Sequence, residues 1–181
     1  VRTLMQSRYR RYPVGSLLVW ATQSEGAEHR GEGALAPGVV KLLLDGQQRM
    51  TSLYGIIRGK APAFFDGNEQ AFTGLHFHLE AEEFAFYSPI KMKDDPLWVD
   101  VSALMRDGLS PLITRINESP TLQRKMGDYI ARLNQIHAIK DVDLHIEEVT
   151  GPDKTIDVVV DIFNRVNSGG TKLSRGDLAL A

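Results

Sequence analysis

Five consecutive residues, Asp45-Gly46-Gln47-Gln48-Arg49, bring together a carboxylate, two amides and a guanidinium. An apolar run, Val39 to Leu44, precedes them and reads as a buried strand, and a helical pattern starts at Gln47. The polar side chains therefore crowd the first turn of a helix, where backbone N–H groups lack partners and the dipole is positive. Glycine allows a ligand close to the backbone, and Arg49 adds a fork of donors. Such a place suits phosphate or another anion. The same residues also describe an ordinary helix start, with Asp45 as cap and Gln48 completing a capping box.

A second group of donors lies near the other end, in Asp161-Ile162-Phe163-Asn164-Arg165-Val166-Asn167-Ser168-Gly169-Gly170-Thr171-Lys172-Leu173-Ser174. There a helix end and a helix start meet across a glycine turn. Arg165, Asn167, Ser168, Thr171 and Lys172 offer donors to a phosphate or a base edge. The plainer reading is a Schellman stop with ordinary turn residues.

The elements that must position these groups follow from periodicity. Leu4 to Tyr12 reads as a helix closed by Pro13, Ser16 to Ala21 as a strand, and Thr22 to Gly38 as a flexible surface loop. The helix Gln47 to Arg58 puts Met50, Leu53, Tyr54 and Ile57 at the spacing of one buried face. Strands are expected at Pro62 to Phe65, Leu75 to Glu80, Glu83 to Tyr87 and, as a short edge, Trp98 to Val101. Strict alternation predicts Leu75, Phe77 and Leu79 inward, with His76, His78 and Glu80 outward. Helices are expected at Ser102 to Asp107, Leu112 to Glu118 and Thr121 to Ala138, a strand at Leu144 to Val149, and a helix at Thr155 to Asn167 stopped by Gly169-Gly170. Ser174 and Asp177 outline a further capping box. The pattern implies an α/β (α+β) fold, a small curved mixed sheet with packed helices. It reads as one domain over 1–181, sheet-rich over 1–100 and mostly helical over 101–181.

Composition narrows the chemistry. The 181 residues carry a net charge of −2, so no global basic field draws in nucleic acid. Cysteine is absent, which excludes disulfides, thiolate zinc sites and Cys–His catalysis. The Walker and dinucleotide patterns are missing, and no Ser–His–Asp set stands out. No bilayer-length apolar stretch or signal peptide is visible, so cytoplasm is the default expectation. A first residue other than methionine and a last helix without a stop signal suggest a fragment of a longer protein.

Three segments occur in order: Tyr12-Pro13-Val14-Gly15-Ser16-Leu17-Leu18-Val19-Trp20, then Leu44-Asp45-Gly46-Gln47-Gln48-Arg49-Met50-Thr51-Ser52-Leu53-Tyr54, then Ile162 to Ser174. Together they closely resemble the N-terminal domain of the GmrSD-type restriction proteins, a former domain of unknown function distantly similar to ParB and sulfiredoxin. The resemblance spans almost the whole chain, from about Tyr9 onward. It implies a prokaryotic defence protein directed against phage or modified DNA. It further implies a domain that binds and hydrolyses a nucleoside triphosphate, often GTP, with Mg²⁺. A separate HNH-type nuclease domain, absent from these residues, would do the cutting, and no membrane partner is implied. The arginine- and aromatic-rich opening of that family is also missing here.

On that resemblance, Asp45, Gln47, Gln48 and Arg49 are the candidate catalytic residues. Gly46, Gln47, Arg49, Arg165, Asn167, Ser168, Gly170 and Thr171 are the candidate phosphate contacts. Backbone N–H groups at Gly46 to Gln48 would cradle phosphate oxygens, and Arg49 would neutralise charge on the leaving group. Gln47 or Gln48 would orient a water, and Asp45 would hold Mg²⁺ directly or through water. Arg165 would approach as a second clamp, which requires both segments at one end of the sheet. Two other readings stay open. One is a nucleotide-sensing switch without turnover. The other is a DNA-contacting surface built from Arg8, Arg10 and Arg11 or from Arg124, Lys125 and Arg132, groups that also fit a solvated face. His76, His78 and Glu80 have zinc-ligand chemistry on one side of a strand, as do ordinary outward polar residues.

Overall fold

The computed structural model describes residues 1–23, 38–63, 65, 67, 68 and 70–167. In chain order these form α1 (Arg2–Tyr9), β1 (Leu17–Gln23), β2 (Val39–Asp45), α2 (Gln47–Arg58), α3 (Gln70–Thr73), β3 (Leu75–His78), β4 (Glu83–Phe86), α4 (Pro89–Met92) and β5 (Trp98–Asp100). They continue with α5 (Val101–Asp107), α6 (Ser110–Glu118), α7 (Pro120–Gln123), α8 (Met126–His137), a 3-10 turn (Ala138–Asp141), β6 (Ile146–Val149) and α9 (Ile156–Val166). Most of the expected loop Thr22 to Gly38, the Gly169-Gly170 stop and the Ser174–Asp177 capping box lie outside the described residues. The fold is α/β, with helices and small sheets, and the strands divide between two three-stranded sheets, β2-β1-β6 and β4-β3-β5. The chain separates into two interleaved units, Val1–Val14 with Gln48–Asp143, and Gly15–Gln47 with Leu144–Ala181.

In the unit containing Gly15–Gln47, β1 is the central strand. It pairs antiparallel with β2 and parallel with β6, with Leu18 opposite Asp45 and Leu17 opposite Ile146. Leu18, Trp20, Leu42 and Leu44 form a buried cluster with Val159 and Phe163 of α9. The hydrophobic return for each such side chain is roughly 1.5–3 kcal/mol. That is why the Val39 to Leu44 run forms a strand and why α9 lies on it.

The unit containing Gln48–Asp143 is built on the alternation in β3. Leu75, Phe77 and Leu79 are each 0% exposed. Phe77 sits 5.0 Å from the Tyr9 ring of α1 and 4.9 Å from the Phe84 ring of β4. The β3–β4 turn then fastens two helices. Glu82, held at φ 53°, accepts a 2.7 Å hydrogen bond from the Tyr9 hydroxyl and pairs with Arg132 Nη2 of α8 at 2.9 Å. Burial, reinforced by that carboxylate, pushes the Tyr9 phenol well above its ordinary value. Glu80 accepts from Lys125 Nζ and, at 3.0 Å, from the Tyr129 hydroxyl.

Three expectations need correction here. Pro62 to Phe65 is not a strand; the Phe65 N–H closes a turn onto the Pro62 carbonyl at 3.0 Å, and proline cannot donate to a ladder. The helix expected over Thr121 to Ala138 is divided, because Lys125 leaves helical geometry (φ −122°, ψ 26°) where its ammonium reaches Glu80. The buried face of α2 is Ser52, Leu53, Gly55 and Ile56, whereas Met50 and Tyr54 are exposed. The cause is a close approach: a Cβ on Gly55 would lie 2.5 Å from Phe72 Cγ, a ring only 3% exposed. Ser52 and Gly55 let the helix come close beside Leu53 and Ile56, and Met50 and Tyr54 turn outward.

Two outcomes follow from this packing. Gly55→Ala has no room to relax and is expected to cost ~1–3 kcal/mol, measured as a lowered urea midpoint; an unchanged midpoint would refute the contact. The hydrogen bond from Lys125, aided by that from Tyr129, holds the Glu80 carboxyl below its ordinary value. A depressed native carboxyl stabilises at pH above its unfolded-state value, and the contribution disappears as pH falls through the native value. Melting temperature should therefore drop on acidification through the carboxylate range, and Glu80→Gln should flatten that part of the profile. Identical acid dependence in the two proteins would mean that the bond contributes nothing.

Candidate functional site

The chain turns from strand to helix at Gly46, with Asp45 the last residue of β2 and Gln47 the first of α2. Gly46 is buried and has φ +95°, a conformation that side chains with a Cβ rarely adopt. Gly46 is thus the residue directly before the helix. Asp45 instead pairs with Leu18 across the β1–β2 ladder and is half-buried. Gln47 and Gln48 are exposed.

Asp45, Gln47 and Arg49 have partners inside the protein. Gln47 Nε2 donates to the Leu43 carbonyl at 3.1 Å. Arg49 Nη1 donates to the Val14 carbonyl at 2.7 Å. Val14 belongs to the Tyr12-Pro13-Val14-Gly15 segment, so two of the three ordered segments are joined by a charge-assisted bond. Val14 as an acceptor was not legible beforehand, since a backbone oxygen leaves no trace in side-chain pattern. Gly15, at φ +82°, is the one local signal of an unusual path there.

The third segment is described as far as Asn167. Arg165 Nε pairs with Asp161 one turn earlier, at 2.9 Å, with both side chains largely exposed. Asn167 follows α9, and its Nδ2 is buried without a hydrogen-bond partner among the described residues. Ser168, Gly170, Thr171 and Lys172 lie outside the described residues. Leu44 adjoins Asp45, Phe163 lies two residues before Arg165, and the two share the buried cluster with Leu18 and Trp20. All three ordered segments therefore contribute to one core. Asp45, Gly46, Gln47, Arg165 and Asn167 belong to the same unit, and Gln48 and Arg49 to the other.

The remaining candidates resolve differently. Lys125 and Arg132 are engaged by Glu80 and Glu82, and Arg132 Nη1 also donates to the Leu79 carbonyl at 2.6 Å. They serve the β3–β4 turn. Arg10 and Arg11 are exposed, and Arg8 is half-buried, its guanidinium pulled slightly down by burial. His78 Nδ1 accepts from the backbone N–H of Ala81 at 2.9 Å, and the Glu80 carboxylate is taken by Lys125 and Tyr129. Among the described residues no group of three or more His, Cys, Asp or Glu is arranged to hold a metal ion. Mg²⁺ does not require such a cage, because one carboxylate with phosphate oxygens and water suffices.

A family model described as GmrSD restriction endonuclease, N-terminal domain, matches residues 1–181. No curated protein matches the chain.

The left-handed backbone at Gly46 gives a direct expectation. Gly46→Ala should lower stability by ~1–2 kcal/mol through backbone strain alone, read from chemical denaturation. Full wild-type stability in that variant would mean that the junction can take another path.

Proposed function

This chain belongs to the GmrSD restriction endonuclease N-terminal domain family, and we propose that it is the nucleotide-binding, NTP-hydrolysing part of a defence-type, DNA-targeting protein, with GTP as the favoured nucleotide. In this reading the HNH-type nuclease domain and the contacts with DNA belong to the full-length protein, outside these residues. No helix among the described residues is long and apolar enough to cross a membrane.

The observation that carries the proposal is the junction at Gly46. A glycine at φ +95° between β2 and α2 puts no Cβ beside the start of a helix, the place where backbone N–H groups and the dipole favour an anion. Asp45, Gln47, Gln48 and Arg49, next to it in sequence, are residue types that phosphoryl transfer uses. The shared core supports the placement of the third segment. Leu44 and Phe163 are buried together, and a residue two to four positions beyond Phe163 lies within about one helical turn of it. The buried amide of Asn167, four positions on and so on the side of Phe163, is thereby a candidate for the same anion as Asp45 and Gln47. Arg165, turned from that side and exposed, would have to swing round to join it, and Ser168, Gly170 and Thr171 extend the set in sequence. Mg²⁺, held by Asp45 with the phosphates, would neutralise charge on the transferred group.

Magnitudes say which resting contacts give way. An exposed i,i+4 pair such as Arg165–Asp161 contributes about 0.3–0.5 kcal/mol, so Arg165 is cheaply redirected to a phosphate. The Arg49 bond to Val14 is charge-assisted and half-buried, and such bonds contribute about 1.5–3 kcal/mol. Arg49 is therefore held in place, and it orients the start of α2 whether or not it touches the ligand.

The test pairs thermal shift with phosphate release. GTP and Mg²⁺ at ~100 times the dissociation constant should add ~2.7 kcal/mol of stability. Arg165→Ala should fold with wild-type stability yet lose much of that shift. Asp45→Asn should abolish release while binding persists. Binding without release in the unaltered protein would favour the sensing switch over the enzyme. The absence of a shift with every triphosphate would leave the junction as a helix start and nothing more.

A further inference from the structure

The unit containing Gln48–Asp143 holds a cavity of about 630 Å³ at the end of the β4-β3-β5 sheet where β3 begins and β4 and β5 finish, lined in part by His76, Phe86, Tyr87 and Asp100. That volume lies within the range of small-molecule sites. We propose that this cavity binds a planar, amino-substituted heterocycle of the nucleobase class, stacked against Tyr87 and hydrogen-bonded to His76 and Asp100.

Two features select that chemistry. The first is exposed aromatic surface. Tyr87 lies 5.1 Å from the His76 ring at 37°, and it and Phe86 are 49% and 45% exposed. A flat ligand covers such rings and gains stacking that any base can supply. The second is an excess of acceptors. His76 Nδ1 lies 3.1 Å from the Gly74 carbonyl; a carbonyl only accepts, so Nδ1 carries the proton and Nε2 of the neutral ring is an acceptor. Asp100 sits directly opposite His76 in the β3–β5 ladder, and opposed residues share a face. Its Oδ1 already takes the Ala103 N–H that caps α5, at 3.0 Å, but a carboxylate accepts several bonds. The ligand must therefore bring N–H donors, as an exocyclic amino group does. No lysine or arginine is among the described residues lining the cavity. The inference does not rest on the phosphate reading of the Gly46 junction.

The test uses 2-aminopurine, whose fluorescence is quenched by stacking. It is titrated as the riboside, and within a single-stranded oligonucleotide, without Mg²⁺ or triphosphate. Saturable quenching is expected. Tyr87→Leu should weaken binding about fivefold or more, the lower bound for a lost stacking partner. Asp100→Asn keeps a competent cap for α5 and should weaken it about tenfold. Unsubstituted purine riboside, used as a competitor, should bind about tenfold more weakly than the amino form. Circular dichroism melts establish that both variants fold. Tighter binding of the oligonucleotide identifies a base presented in a strand, and tighter binding of the riboside identifies a free nucleoside. No saturable quenching by either probe, or affinities unmoved by both substitutions, would overturn the proposal.

Discussion

Six apolar side chains from three distant stretches decide where the polar residues of this protein end up. Leu18 and Trp20, Leu42 and Leu44, and Val159 and Phe163 close one core. Each is worth several times any single exposed polar contact nearby. Asp45 and Arg165 are passengers on that core: each is attached within two residues of a buried anchor. The ordered recurrence of three sequence segments thus has a physical origin, because each segment carries part of the same core. The bond from Arg49 to Val14 adds a polar tie between two of them.

Much of this was legible from periodicity. The alternation Leu75-Phe77-Leu79 lies where apolar spacing puts it, strands occur within the expected spans at Leu17, Val39 and Ile146, although β2 is not buried along its length (Leu42 and Leu44 are buried, Val39 and Lys41 exposed), and Gln47–Arg58 is helical over the expected span. What escaped depends on partners distant in sequence. The stripe Met50-Leu53-Tyr54-Ile57 is a sound amphipathic pattern, but the proximity of Phe72 to Gly55 rotates the buried face away from it. The break before α8 reflects Lys125 reaching Glu80, forty-five positions earlier in the chain. His76 stood out as a possible metal ligand beside His78, whereas its neighbour across the ladder is Asp100, and pairing register is invisible in one sequence. At the junction the residue types were readable, but the left-handed backbone of Gly46 was not.

Charge is managed in the same economical way. A net charge of −2 gives no long-range pull on anions, so any anion must be held by local donors. Lys125 and Arg132 are consumed in fastening helices to the β3–β4 turn. Among the described residues Arg165 is tied by an exposed pair on its own helix. Which arginines are structural and which are available is decided by what else each one holds in place.

The interleaving of the two units governs the order in which the molecule can be completed on the ribosome. Residues Gln48–Asp143 lie between the β1–β2 hairpin and the strand and helix that finish its core. The hairpin therefore emerges early and keeps Leu18, Trp20, Leu42 and Leu44 uncovered until translation reaches Phe163. Nascent-chain aggregation and holdase chaperones should concentrate on that hairpin, because transiently uncovered strands are the hazardous species in slow, non-local folding.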